Sequence, residues 1–203
     1  MAGYPLSESA ADRWRRLAAT VGLRMLLANI SVGVLVGIGI AHVRLGLGMP
    51  GHKVFLWMAP IVFARVLARH PVGAAAASVS AATVTLGLGG NFAGNLLLLP
   101  LVGVAGGIID ACIAFAERRG LPGYMTVALV GFGGMFGGMV CAVKRLLVPI
   151  VHTHVVFGLV GVPARLLSYA IFGLLAGLVG ATAAVTLSAR RRRPGPQQGA
   201  GPS

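Results

Sequence analysis

From His70 to Asp110 the chain reads HPVGAAAASVSAATVTLGLGGNFAGNLLLLPLVGVAGGIID, with no charged side chain between those two residues. That is about twice the roughly 20 residues that carry a helix across a bilayer. Its middle, Gly87-Leu88-Gly89-Gly90-Asn91, is a turn sequence. The stretch therefore reads as two membrane-spanning helices joined by a tight hairpin. Function must then be argued in lipid, where an unpaired amide or charge is expensive.

The rest of the chain has the same character. It is 57% hydrophobic and only 10% charged, against about 25% charged residues in soluble domains. Residues 1–16 are polar and carry Trp14 and several arginines, which is not the pattern of a cleaved signal. The net charge is +13, yet the basic residues cluster at the ends of apolar runs, where the positive-inside rule expects them. They are not a nucleic-acid footprint. Cys112 and Cys141 lie inside apolar runs and read as small core residues.

Six spans are expected: Leu17 to His42, Lys53 to Ala68, Val72 to Gly89, Phe92 to Phe115, Tyr124 to Val143 and Arg165 to Leu187. Leu146 to Ala164 is apolar but holds Pro149, His152, His154 and Pro163. It reads as a long outer loop, with a re-entrant segment or a seventh span as alternatives. Charge favours six. With the N-terminus inside, the cytoplasmic side holds Arg13, Arg15, Arg16, Arg24, Arg65, Arg69, Arg118, Arg119 and Arg190 to Arg193. The outer side holds Arg44, Lys53, Lys144, Arg145 and Arg165, the asymmetry the rule demands. The expected fold is an all-α integral membrane protein. A cytoplasmic tail over 1–16 precedes a six-helix bundle over 17–189 in the cell membrane. A basic tail over 190–203 follows, disordered by composition, and both termini are cytoplasmic.

Glycine occurs 31 times and in register. Asn29, Gly33, Gly37 and Ala41 share a face of the first span. Gly133 with Gly137, and Gly134 with Gly138, do so in the fifth, and Gly173, Gly177 and Gly180 line the sixth. Such faces let backbones approach closely, either within the chain or against a partner's helices. Ala18 and Gly22 extend the first span's small face towards the cytoplasm and suit a partner best.

The four acids, Glu8, Asp12, Asp110 and Glu117, all fall on the cytoplasmic side of this layout. The outer face has basic side chains and no carboxylate, so it attracts anions, whether lipid phosphates or a solute. Arg44, Lys53 and Arg165 are candidate clamps, arginine offering a fork of donors to a planar carboxylate. After the Gly48-Met49-Pro50-Gly51 turn, His52 and Lys53 supply a titratable group and a charge, and Trp57 a stacking face one turn further in. Trp57 reads equally as an interfacial belt residue. Asn91 and Asn95 share a face at the start of the fourth span, beside free helix N–H groups; Asn91 also suits a cap. Asn29, Ser31, Ser78, Ser80, Thr83 and Thr85 either line a cavity or bond back to their own helices. Asp110, inside a span, calls for a cationic partner, Arg24 or Arg65. His42, His52, His152 and His154 raise a metal site, but no outer carboxylate or thiolate completes it. The phosphate loop G-x-x-x-x-G-K-[ST], G-x-S-x-G and H-E-x-x-H are all missing, as is a close pair of acids, so neither an ATPase nor another enzyme is expected.

With its size, its six-span layout, Ala18-x-x-x-Gly22, and Gly94-Asn95 through Pro100-Leu101-Val102-Gly103-Val104-Ala105-Gly106-Gly107-Ile108-Ile109-Asp110, the chain resembles a known family. These are the substrate-binding S components of energy-coupling-factor (ECF) vitamin transporters of prokaryotes. Their docking motif is usually Ala-x-x-x-Ala, where this chain has glycine second. The resemblance implies capture of a vitamin-like solute from outside, in a site closed by the first outer loop and the fifth-to-sixth loop. It also implies docking on a transmembrane coupling subunit, and two separate ATPases powering a toppling motion. Those loops here are Gly46 to Lys53 and Lys144 to Arg165, also the basic ones. The resemblance adds no cofactor, and lipid is the only other partner expected. A non-transporting membrane scaffold and a metal-ion permease using the histidines are the alternatives from other classes.

Overall fold

The computed structural model describes residues 10–42, 51–89, 98–146, 155–156 and 159–191. Within them the chain forms six helices: α1 (Ala10–His42), α2 (His52–Ala68), α3 (Gly73–Gly87), α4 (Leu98–Arg119), α5 (Gly123–Leu146) and α6 (Val162–Arg191). Four helices, in α1, α4, α5 and α6, are long and apolar enough to cross a membrane; α3 is apolar but shorter, at 15 residues. The chain is thus a membrane protein. Its outward-facing side chains agree: Leu35, Val104, Phe132, Phe136 and Val179 are all exposed, an inversion of the soluble pattern.

The connections follow from local chemistry. At the end of α4, Gly120 adopts φ 60°. The Leu121 amide donates to the Ala116 carbonyl at 3.0 Å and the Gly120 amide to the Glu117 carbonyl at 3.2 Å. This is a Schellman closure, which needs the left-handed residue that glycine supplies. Pro122 then opens α5, its carbonyl accepting from the Thr126 amide at 3.0 Å. The α2–α3 link is four residues long and begins at Arg69, with φ 50°, whose amide donates to the Arg65 carbonyl at 2.9 Å. Between α5 and α6 the only described structure is a two-residue antiparallel ladder, β1 (Val155–Val156) on β2 (Leu159–Val160). The expected start of the fourth span, Phe92 to Leu97, lies outside the described residues, and the helix continues past Phe115 to Arg119.

Successive helices alternate in direction, and the glycine faces are the seams. A Cβ on Gly33 or Gly37 would run into the carbonyls of Ala77 and Ala81, so α1 and α3 lie parallel along the Asn29–Gly33–Gly37 face. Gly134 meets Gly173, and Gly138 meets Tyr169, an antiparallel α5–α6 contact. Gly133 and Gly137 face Cys112 and Ala105 of α4, and Gly180 rests on Ala59 and Val62 of α2. These stripes therefore serve packing within the chain. Gly22 is the exception, with open space where its Cβ would be. The interior between the seams is filled by Met58, Ile61, Val62, Ile109, Ile113 and Val130.

The two ends differ. At the apical end α1, α3 and α5 finish and α2, α4 and α6 begin; at the basal end the reverse holds. Asp110 accepts the first amides of α3, yet α4 continues nine residues beyond it to Arg119. At 1.5 Å per residue the α2–α3 turn is therefore inset by about 13 Å from the basal tip of α4.

Candidate functional site

The apical end carries the described candidates for solute binding. His52 and Lys53 open α2, and Arg165 sits in the first turn of α6, its amide donating to the Gly161 carbonyl at 3.2 Å. The two helices run parallel and start side by side: a Cβ on Gly51 would lie 3.0 Å from the Tyr169 ring. Gly51 itself has φ 87°, so glycine is required there on both counts. The fold thus gathers His52, Lys53 and Arg165 at one end. Arg44, Asn91 and Asn95 lie outside the described residues, as do His152 and His154. His42, at the end of α1, donates from Nδ1 to the Ile38 carbonyl of its own helix, 2.9 Å away. Among the described residues no group of three histidine, cysteine or acidic side chains could hold a metal ion.

Trp57 does not form part of an interfacial belt. It is 5% exposed and faces the interior of the bundle. There, with Ile40, Ser78, Thr85, Leu98 and Val102, it lines a cavity of about 10 Å³, room for roughly one water. The α2 register explains this, since Val54, Trp57, Met58 and Ile61 form one buried stripe. The α3 hydroxyls mostly bond back, as small hydroxyls in apolar helices do. Thr85 donates to Ala81 at 2.8 Å and reaches Gly37 of α1 at 3.1 Å; Ser80 donates to Ala77 at 2.9 Å; Thr83 donates to Val79 at 2.9 Å. The Ser78 hydroxyl is buried without a partner among the described residues.

The strongest polar construction lies between the ends. Arg65, 1% exposed, donates through Nε to Asp110 at 2.6 Å. The Asp110 carboxylate also accepts the Ala74 amide at 3.1 Å and the Ala75 amide at 2.9 Å. One carboxylate thus neutralises a buried guanidinium and caps the α3 N-terminus, where orphan amides and the helix dipole both favour an anion. Arg24, the other expected partner, is exposed on α1. Gly73 makes the arrangement possible, because a Cβ there would lie 2.8 Å from both Arg65 Cδ and Asn29 Nδ2. The sequence placed Asp110 opposite one of two arginines but gave no hint of the α3 cap; an aspartate 36 residues away carries no local capping signature.

A second, larger feature was not anticipated. At the basal end the inset α2–α3 turn leaves a recess of about 730 Å³ between the ends of α2, α4, α5 and α6. Arg69, Glu117, Thr126 and Ser188 line it, with Val66, Ile113, Leu121 and Val185. Glu117 Oε2 lies 3.9 Å from Arg65 Nη2, so the recess touches the buried ion pair. No protein-family model matches the chain, and neither curated proteins nor solved structures give a significant match.

Proposed function

We propose that the chain is the solute-capturing membrane subunit of an ECF-type importer, taking a small, vitamin-like anion at its apical end. The observation that carries this reading is the one-sided placement of the described carboxylates along the bundle. His52, Lys53 and Arg165 lie at the end where α2 and α6 begin, while Asp110 and Glu117 occupy the second half of α4 and Asp12 the start of α1. An apical face with cations and no described carboxylate favours an anion. In this reading all six helices cross the cell membrane, the basal end is cytoplasmic, and both termini lie there. The open surface at Ala18 and Gly22, unused inside the chain, suits docking on a coupling subunit that brings two ATPases.

The test is purification from native membranes under mild detergent, followed by mass spectrometry for bound solute and for ATPase partners. A co-purifying small anion that is lost from Lys53→Ala/Arg165→Ala supports the reading. Retention of protein partners with neither solute nor ATPases would instead make the chain a scaffold.

A further inference from the structure

The basal recess holds two opposite charges that do not meet. Arg69 and Glu117 both line it, yet they form no ion pair with each other, and the Arg69 side chain has no hydrogen-bond or ionic partner among the described residues. Two opposite charges lining one recess complement a bipolar ligand.

Arg69 is also conspicuous in its backbone. It is the only non-glycine residue with positive φ among those described, and it occupies the α2 C-cap in the left-handed conformation. Glycine is the residue this position favours, for it has no Cβ penalty there. The arginine is held in the left-handed conformation while it lines the recess. Strain of this kind marks positions where the side chain is needed.

Glu117 is positioned differently. Its 3.9 Å approach to Arg65 Nη2 tethers the carboxylate loosely, and Asp110 already neutralises that guanidinium at closer range. The Glu117 side chain is 45% exposed and lines the recess. Val66, Ile113, Leu121 and Val185 add apolar surface to the same lining. The volume, about 730 Å³, falls within the range of small-molecule sites.

We infer that this recess binds a zwitterionic phosphoethanolamine group, its phosphate on Arg69 and its primary ammonium on Glu117. The guanidinium fork matches phosphate oxygens. The carboxylate accepts from an N–H-bearing ammonium but not from a quaternary one, which has no donors. The apolar surface suits the glycerol and upper acyl carbons of phosphatidylethanolamine, the form in which a membrane supplies this group. The site is at the opposite end from the capture face and stands independently of it.

The experiment reconstitutes the full chain in equal parts phosphatidylethanolamine, phosphatidylcholine and phosphatidylglycerol, extracts it mildly and counts retained lipids by native mass spectrometry. The wild type retains one phosphatidylethanolamine over phosphatidylcholine by about tenfold, the worth of one charge-assisted hydrogen bond. Arg69→Gly, which relieves the left-handed strain, keeps or raises the thermal midpoint yet loses this retention. Glu117→Gln brings the two lipids to parity. Displacement by free glycerophosphoethanolamine supports the polar group alone as ligand, and failure of displacement alongside lipid retention supports the whole lipid. Equal retention of the two lipids by the wild type, or undiminished retention by Arg69→Gly, overturns the assignment.

Discussion

Asp110 illustrates how much one side chain settles in an apolar bundle. Its oxygens serve Arg65 and two amides of α3 at once. Removing it leaves a guanidinium that is 1% exposed with only the looser Glu117 carboxylate, 3.9 Å away, as counter-charge, and uncaps a helix. Asp110→Ala is expected to cost about 3–5 kcal/mol, the usual penalty for breaking a buried pair from one side. Thermal unfolding in detergent reads it directly. Replacing both partners, as Arg65→Met with Asp110→Ala, removes the stranded charge, so the double variant is expected to be more stable than Asp110→Ala alone. If the two losses simply add, the ion pair is not what holds this region. Gly73→Ala tests the same cluster sterically. Its new methyl would press on Asn29 and Arg65 at 2.8 Å, and a loss of about 1–3 kcal/mol is expected.

Among the elements, the glycine faces divide into closed seams and one open edge. Gly138→Ala drives a methyl into the Tyr169 carbonyl across the α5–α6 seam, and a loss of about 1–3 kcal/mol is expected because backbone cannot give way cheaply. Gly22→Ala meets nothing, and the ordinary helix preference for alanine should stabilise it by about 0.5–1 kcal/mol. Comparing the two midpoints separates packing from propensity. A bulkier Gly22→Leu should leave the fold intact yet abolish co-purification of a coupling subunit; unchanged co-purification would remove Gly22 from the docking surface. The seams were legible because a four-residue spacing of small residues is a direct statement about helix faces. Which face meets which helix was not, since the partner's side of each seam is made of common residues such as Ala77 and Ala105. The helices themselves were readable from charge-free length. Trp57 was not, because an aromatic near a span end fits a belt and a core equally until the helix register is known. Arg69 was hidden for a related reason: nothing in Leu67-Ala68-Arg69-His70 announces a left-handed cap.

For the molecule as a whole, alternating helix directions make side-of-membrane labelling decisive. Single cysteines are introduced with Cys112 and Cys141 changed to alanine and are probed with an impermeant maleimide. Leu88→Cys, at the apical end of α3, and Gly120→Cys, in the basal α4–α5 turn, should react from opposite sides. Pro71→Cys, in the inset turn, should react from the same side as Gly120→Cys but more slowly. Labelling of Leu88→Cys and Gly120→Cys from one side would dismantle the bundle topology and the capture face together.

In the proposed six-span reading, the inset turn would also shape the membrane's electric field. The 15 residues of α3 cover about 22 Å, against about 30 Å of hydrocarbon elsewhere. Where water reaches that turn, the resting voltage would fall over this shorter path, with a gradient along α3 about a third steeper than in the surrounding bilayer. Arg65 and Asp110 stand at the foot of that steepened drop, so a charged passenger moving beside α3 would exchange its electrical work with the cell there, and not evenly across the bundle.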